Sequence, residues 1–144
     1  MEQTKETEAL LLRNQLCFPL YAASRKVVGM YTQVLKPLGL TYTQYIVMLV
    51  LWEEDGLGVG EICRRLHLDS GTLTPLLKKL EEAGLVARSR SRNDERVVLI
   101  FLTEAGRALR ERALSVPGQV GQCIAVAPEE AQALYGLLYR ILEA

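Results

Sequence analysis

Apolar residues recur in alternating steps of four and three over most of this chain, the rhythm of a helix with one buried face. From about Asn14 to Leu35 the rhythm is double. One stripe is Cys17, Tyr21, Ser24, Val28, Tyr31 and Leu35; beside it run Leu16, Leu20, Ala23, Val27, Met30 and Val34. Two apolar stripes on one helix predict burial on more than one side, as at a subunit interface. Pro19 falls early, where a helix tolerates proline, and Pro37 with Gly39 ends the run. Thr41 and Gln44 form a capping-box pattern ahead of the nearly all-apolar stretch Tyr45 to Trp52, which predicts a central helix closed by Glu53, Glu54, Asp55 and Gly56. Val59, Ile62, Cys63 and Leu66 mark a short helix, and His67-Leu68-Asp69 a turn. Ser70 to Ala83 predicts a helix with inner positions Leu73, Leu76, Leu77 and Leu80, ended by Gly84. The rhythm then changes. Leu85 to Ser89 and Arg96 to Leu102 read as strands joined by the turn Ser91-Arg92-Asn93-Asp94-Glu95. A fifth helix starts at Thr103-Glu104 and buries Ala105, Leu109, Ala113 and Val116 before Pro117-Gly118. Gly118 to Cys123 reads as polar and poor in helix. Pro128-Glu129-Glu130 opens a last helix with the stripe Ala131, Leu134, Leu138 and Ile141. Residues before Asn14 read as a loosely held arm.

The pattern amounts to about six helices plus one β-hairpin, a mostly α fold of the α+β winged-helix kind. Its 144 residues suit one domain, and 49% hydrophobic content leaves apolar surface for a partner subunit to cover. Seventeen basic residues balance seventeen acidic ones, so the chain as a whole is no polycation. Placement alters that picture. Between Arg88 and Arg96 four arginines (Arg88, Arg90, Arg92, Arg96) face only Asp94 and Glu95. The polar start MEQTKETEA does not read as a signal peptide, and no apolar run reaches the roughly 20 residues of a membrane span. Three widely spaced cysteines, Cys17, Cys63 and Cys123, fit free thiols in the cytoplasm better than a secreted disulfide scaffold. Metal-ligand spacing is absent, His67 is the single histidine, and nothing calls for a cofactor.

A short helix, a turn, a capped helix and a basic hairpin, in that order, predict a winged helix-turn-helix that lays one helix in the major groove and the wing in the adjacent minor groove. With its leucines inward, the capped helix presents Ser70, Gly71, Thr72, Thr74, Pro75, Lys78 and Lys79 outward. Small hydroxyl residues at the helix start can approach base edges or phosphates, and the lysines reach phosphates further along. The wing arginines add phosphate attraction and a probe for a narrow minor groove. Enough cationic contacts for firm binding accrue only when this surface is doubled, so a dimer on a pseudo-palindrome is expected.

The stretch from Asp69 to Gly106, with the wing signature Asp94-Glu95-Arg96, resembles the MarR family of bacterial winged-helix repressors. NQLCFPLYAASR (Asn14 to Arg25), LGLTYTQYIVMLVLWE (Leu38 to Glu53) and LDSGTLTPLLKKLE are similar to the organic hydroperoxide resistance regulators within it. The resemblance implies a triangular homodimer joined through its N- and C-terminal helices. Residues 41–102 would be the DNA-binding head of a single 1–144 domain, and 8–38 and 103–144 the dimerisation helices. It places Asp94 and Arg96 in the wing, with Arg96 as the minor-groove residue. It implies that Cys17 is the sensing thiol, with Tyr31 and Tyr42 as its phenolic partners, and that Cys123 is the resolving thiol of the opposite subunit.

The residues themselves say less. A thiol reacts with peroxide as its thiolate, and the predicted helix start near Cys17 favours an anion. Periodicity alone leaves Cys17 equally readable as an inert buried thiol, and Cys63 reads as a core residue. Cys17 and Tyr31 are fourteen residues apart, about 21 Å along a straight helix, so any contact between them must cross to a second chain. The resulting expectation is a repressor, not an enzyme. It binds operator DNA when reduced and leaves it when an organic hydroperoxide oxidises Cys17, through a disulfide with Cys123. One alternative is a repressor released by a small aromatic ligand bound among Tyr31, Tyr42, Tyr45 and Trp52. Another is a thiol peroxidase, which lacks an evident arginine clamp or CxxC partner here.

Overall fold

In a computed structural model, residues 7–144 are described, so the arm expected before Asn14 lies partly outside the described residues. Helix α1 spans Cys17–Leu35, followed by a 3-10 turn at Lys36–Leu38. Gly39, at φ 70°, takes the left-handed turn that ends it. Helix α2, Tyr42–Glu53, opens on the expected capping box. The Thr41 hydroxyl accepts from the Gln44 amide and the Gln44 side chain accepts from the Thr41 amide. Strand β1 (Leu57–Gly58), helix α3 (Val59–Leu66) and helix α4 (Ser70–Glu82) follow, then the hairpin strands β2 (Val86–Arg90) and β3 (Val98–Leu102). Helices α5 (Glu104–Ala113), α6 (Val116–Gly121) and α7 (Pro128–Leu142) complete the chain.

The core gathers where α2, α4 and the sheet meet. Tyr45, Val47, Met48 and Leu51 of α2 close on Ile62 of α3, on Leu73, Leu77 and Leu80 of α4, and on Val86, Ile100 and Leu102 of the sheet. The sheet order is β1-β3-β2, antiparallel throughout, with Arg88 opposite Ile100 and Arg90 opposite Val98. Asp55 fastens this sheet to the helices: one carboxylate oxygen accepts from the Leu102 amide at 2.8 Å and the other takes an ion pair from Arg107 at 3.4 Å.

Three expectations need correcting. From Cys17 onward the described residues hold seven α-helices where about six were expected, because Pro117 does not merely stop α5. It sits in the first turn of α6, where its missing N–H costs nothing, and so part of the stretch expected to be poor in helix is helical. Residues 57–58 add a third strand, which two residues of sequence could not announce. The inward position of α5 is Gly106, not Ala105, which is exposed. Only glycine fits there. A Cβ on Gly106 would lie 2.1 Å from the Leu85 carbonyl oxygen, and the Gly106 carbonyl accepts the Trp52 indole N–H at 2.9 Å.

Two regions stay uncovered within one chain. The N-terminal half of α1, from Cys17 to Lys26, is exposed throughout, whereas Val27, Met30, Tyr31, Val34 and Leu35 of its second half pack inward. Helix α7 buries no residue, and Leu134, Tyr135, Leu137 and Ile141 are each about half exposed or more. No single described helix is long and apolar enough to cross a membrane.

Gly106→Ala is expected to destabilise the protein by about 2–3 kcal/mol, because the methyl meets backbone that cannot swing away. Thermal unfolding checks it. An unchanged melting temperature would contradict the packing described.

Candidate nucleic-acid interface and thiol site

Helix α4 is built to present its first two turns. The Asp69 carboxylate accepts from the Thr72 amide at 2.7 Å and caps the helix. Leu73, Leu77 and Leu80 pull one face inward, which leaves Ser70, Gly71, Thr72, Thr74, Pro75, Lys78 and Lys79 exposed together. Pro75 lies inside the helix and has no N–H to donate to the Gly71 carbonyl. Ahead of α4, His67 closes α3 in the left-handed region at φ 53°, which turns the chain sharply into the Asp69 cap.

The wing stands beside this helix, and most of its arginines are held. Arg88 is forked onto Glu81 of α4, with Nε and Nη2 at 3.2 and 3.1 Å from the two carboxylate oxygens. Arg90 donates to the Glu95 carbonyl at 2.9 Å and braces the turn. Arg96 lies at the tip with its side chain 91% exposed, yet Asp94 orients it by accepting from its backbone amide and its guanidinium. Those bonds hold the Asp94 carboxyl below the usual range. Gly60 and Glu61 of α3, Thr74 and Leu77 of α4, and Arg88 and Arg96 of the wing line one open cleft of about 570 Å³. Sequence reasoning missed Arg64 and Arg65 at the end of α3, both paired with Glu61. Hydrogen bonds from Arg64, then Arg65, pull the Glu61 carboxyl down to about 2. The (i, i+3) and (i, i+4) spacing of Glu61 with Arg64 and Arg65 was the one sequence signal; the second partner of Arg65, Glu54, lies on another element and leaves none.

The cysteines separate as well. Cys17, the first residue of α1, is exposed on the uncovered half of that helix. Cys123 is exposed just past α6, its thiol 3.5 Å from the Gln119 carbonyl oxygen. Cys63 is half-buried against the core. Tyr31, Tyr42 and Tyr45 form a cluster, with ring centroids 4.7 Å apart for Tyr31–Tyr42 and 5.6 Å for Tyr31–Tyr45. Burial raises all three phenols above their ordinary range, so they stay protonated donors at neutral pH. The cluster does not include Trp52, whose N–H is committed to Gly106. Tyr31 sits near the far end of α1 from Cys17, so one chain does not bring thiol and phenols together.

A recognition helix, a braced basic hairpin and an antiparallel edge strand on a helical frame define a winged helix-turn-helix protein. The comparisons narrow this. Residues 29–112 match the family described as transcriptional regulator SarA/Rot. The organic hydroperoxide resistance transcriptional regulator of Bacillus subtilis is 47% identical over 132 residues, 92% of this chain and 90% of that protein. AbfR of Staphylococcus epidermidis, 38% identical, superposes in its reduced, DNA-bound structure with a TM-score of 0.79 over 97% of both chains. Its disulfide-formed structure superposes at 0.66, over 97% of this chain and 98% of that one. A MarR-family regulator from Rhodococcus sp. RHA1, 27% identical, superposes at 0.80 over 92% of this chain and 95% of that one. The chain belongs to the SarA/Rot family of winged-helix transcriptional regulators, MarR-like in fold. Its family and relatives are regulators, not enzymes.

The Glu61 pair gives a pH dependence. A carboxyl lowered on folding adds stability above its ordinary pKa, and that stability is lost as pH falls from about 4.5 towards 2. Glu61→Gln is expected to melt below the parent at pH 7, with the gap shrinking towards pH 2. An equal gap at both ends would contradict the pairing.

Proposed function

We propose that this protein is a homodimeric, redox-sensing repressor that binds a pseudo-palindromic operator when reduced and leaves it when an organic hydroperoxide oxidises Cys17. Residues 41–102 form the DNA-binding head; 8–38 and 103–144 carry the dimer contacts, which cover the bare half of α1 and the unburied face of α7. Ser70, Gly71, Thr72, Thr74, Pro75, Lys78 and Lys79 meet the major groove and its phosphates. Arg88, Arg90, Arg92, Asp94 and Arg96 shape the wing, with Arg96 at the minor groove.

The observation that carries the redox reading is a split site. Cys17 is bare at one end of α1, and the protonated phenols of Tyr31 and Tyr42 stand near the other end. In a two-fold dimer the thiolate of one subunit accepts hydrogen bonds from the phenols of its partner. The thiolate attacks the terminal hydroperoxide oxygen and takes it as OH while the O–O bond breaks, leaving Cys17 as sulfenic acid; the departing alkoxide takes a proton from water and leaves as an alcohol. Cys123 of the other chain then displaces water and forms an intersubunit disulfide. That bond needs Cα atoms about 4.4–6.8 Å apart. Closing it moves helices that set the spacing of the two heads. The relative AbfR supports a redox reading, since its solved structures include a reduced, DNA-bound form and a disulfide form.

Gel-shift binding to the protein's own promoter, reduced against hydroperoxide-treated, tests this. Cys17→Ser is expected to stay bound after treatment, and Cys123→Ser to form no cross-linked dimer on a non-reducing gel. Release of Cys17→Ser as readily as the parent would defeat the mechanism. In the double variant Tyr31→Phe, Tyr42→Phe, oxidation of Cys17 is expected to slow roughly ten- to hundredfold, the loss of a hydrogen bond to a charged group. Stopped-flow measurement with cumene hydroperoxide checks it.

A further inference from the structure

The Glu81–Arg88 fork ties the recognition helix to the first strand of the wing. Glu81 occupies the last turn of α4, the negative end of the helix dipole, where an acidic side chain is unfavourable. A residue that breaks a local rule points to a compensating contact. Here the contact is bidentate and crosses from the recognition helix to β2. Thr74, Leu77 and Glu81 fall on one face of α4, and Thr74, Leu77 and Arg88 line the open cleft. Both members of the pair remain about two-fifths exposed. Arg88 is therefore within reach of a phosphate but engaged elsewhere, whereas Lys78 and Lys79 on the same helix make no ion pair among the described residues.

We infer that Glu81 is a specificity-determining residue. It holds Arg88 as a strut between recognition helix and wing and withholds one cation per subunit from sequence-independent phosphate contact. The fork therefore serves twice. It fixes the angle at which the wing leaves α4, which selects DNA of the right groove geometry, and it lowers the affinity for every other sequence. A chain of zero net charge with a basic wing fits this arrangement, since its acidic residues include ones placed on the binding face itself. The inference rests on the DNA-binding reading above.

The test uses the full-length reduced protein with two duplexes of equal length, one from its own promoter and one of random sequence. Glu81→Gln keeps the shape and frees Arg88. Two added phosphate contacts per dimer are expected to steepen the log–log salt slope on the random duplex by about 1.8, so that the affinity gained between 200 and 50 mM salt increases about twelvefold. The preference for the promoter duplex falls by several-fold. Adding Arg88→Gln to Glu81→Gln returns the slope to the parent value. Glu53→Gln, an equal charge change at an exposed residue at the end of α2, leaves it there. An unchanged slope and preference in Glu81→Gln overturns the inference, as does equal steepening in Glu53→Gln. Equal weakening on both duplexes with a lowered melting temperature also overturns it, because the fork is then merely structural. A parent protein that binds neither duplex defeats the DNA reading instead, so the two failures are distinguishable.

Discussion

An unbroken helix of nineteen residues, Cys17–Leu35, sets the terms for everything else in this molecule. At 1.5 Å per residue it holds its first thiol and its Tyr31 phenol about 21 Å apart and too stiffly to bend together. Its second half is anchored in the core by Leu35 and Val34, and its first half has no cover of its own. On the proposed reading the sensor is incomplete in one chain, and the surface that would complete it is the surface that needs a partner. Dimerisation and chemistry are then one requirement, and a change at the thiol would act on the joint between two subunits.

Charge on the reading face follows a second economy. Arginine is held at three places by a carboxylate: Glu61 on α3, Glu81 across to β2, and Asp94 in the wing. Such exposed pairs add only modest stability. They fix where planar donors point, and on the proposed reading they leave the lysines of α4 to supply attraction that is insensitive to sequence. Net charge of zero and a nucleic-acid partner are compatible on these terms.

Much of this was legible in the sequence because local rules agreed with the fold. Thr41 and Gln44 announced their helix, and the leucines of α4 their inner face, which by subtraction exposed the residues proposed to meet DNA. What escaped was tertiary. Leu57 and Gly58 are a strand only because β3 offers an edge. Gly106 is inside because the Leu85 carbonyl leaves room for nothing larger. Pro117 looks like a stop signal and is a helix start. The fork between Glu81 and Arg88 joins a helix to a strand around a turn, and no periodicity records it. Tyr45 was readable as core and stands behind Tyr31 and Tyr42 as the third member of their cluster, a neighbourhood that helical spacing alone does not reveal.

The division of the sensor between two chains is open to a direct test by trans-complementation. Differently tagged chains, one carrying Cys17→Ser and the other Tyr31→Phe with Tyr42→Phe, can be co-produced and the mixed dimer isolated by both tags. In that dimer the remaining Cys17 faces the intact phenols of the opposite chain. Oxidation of that thiol by cumene hydroperoxide at the parent rate is the expected result, though the phenol-deficient homodimer reacts slowly. Oxidation of the mixed dimer at the slow rate would contradict a site shared across the interface.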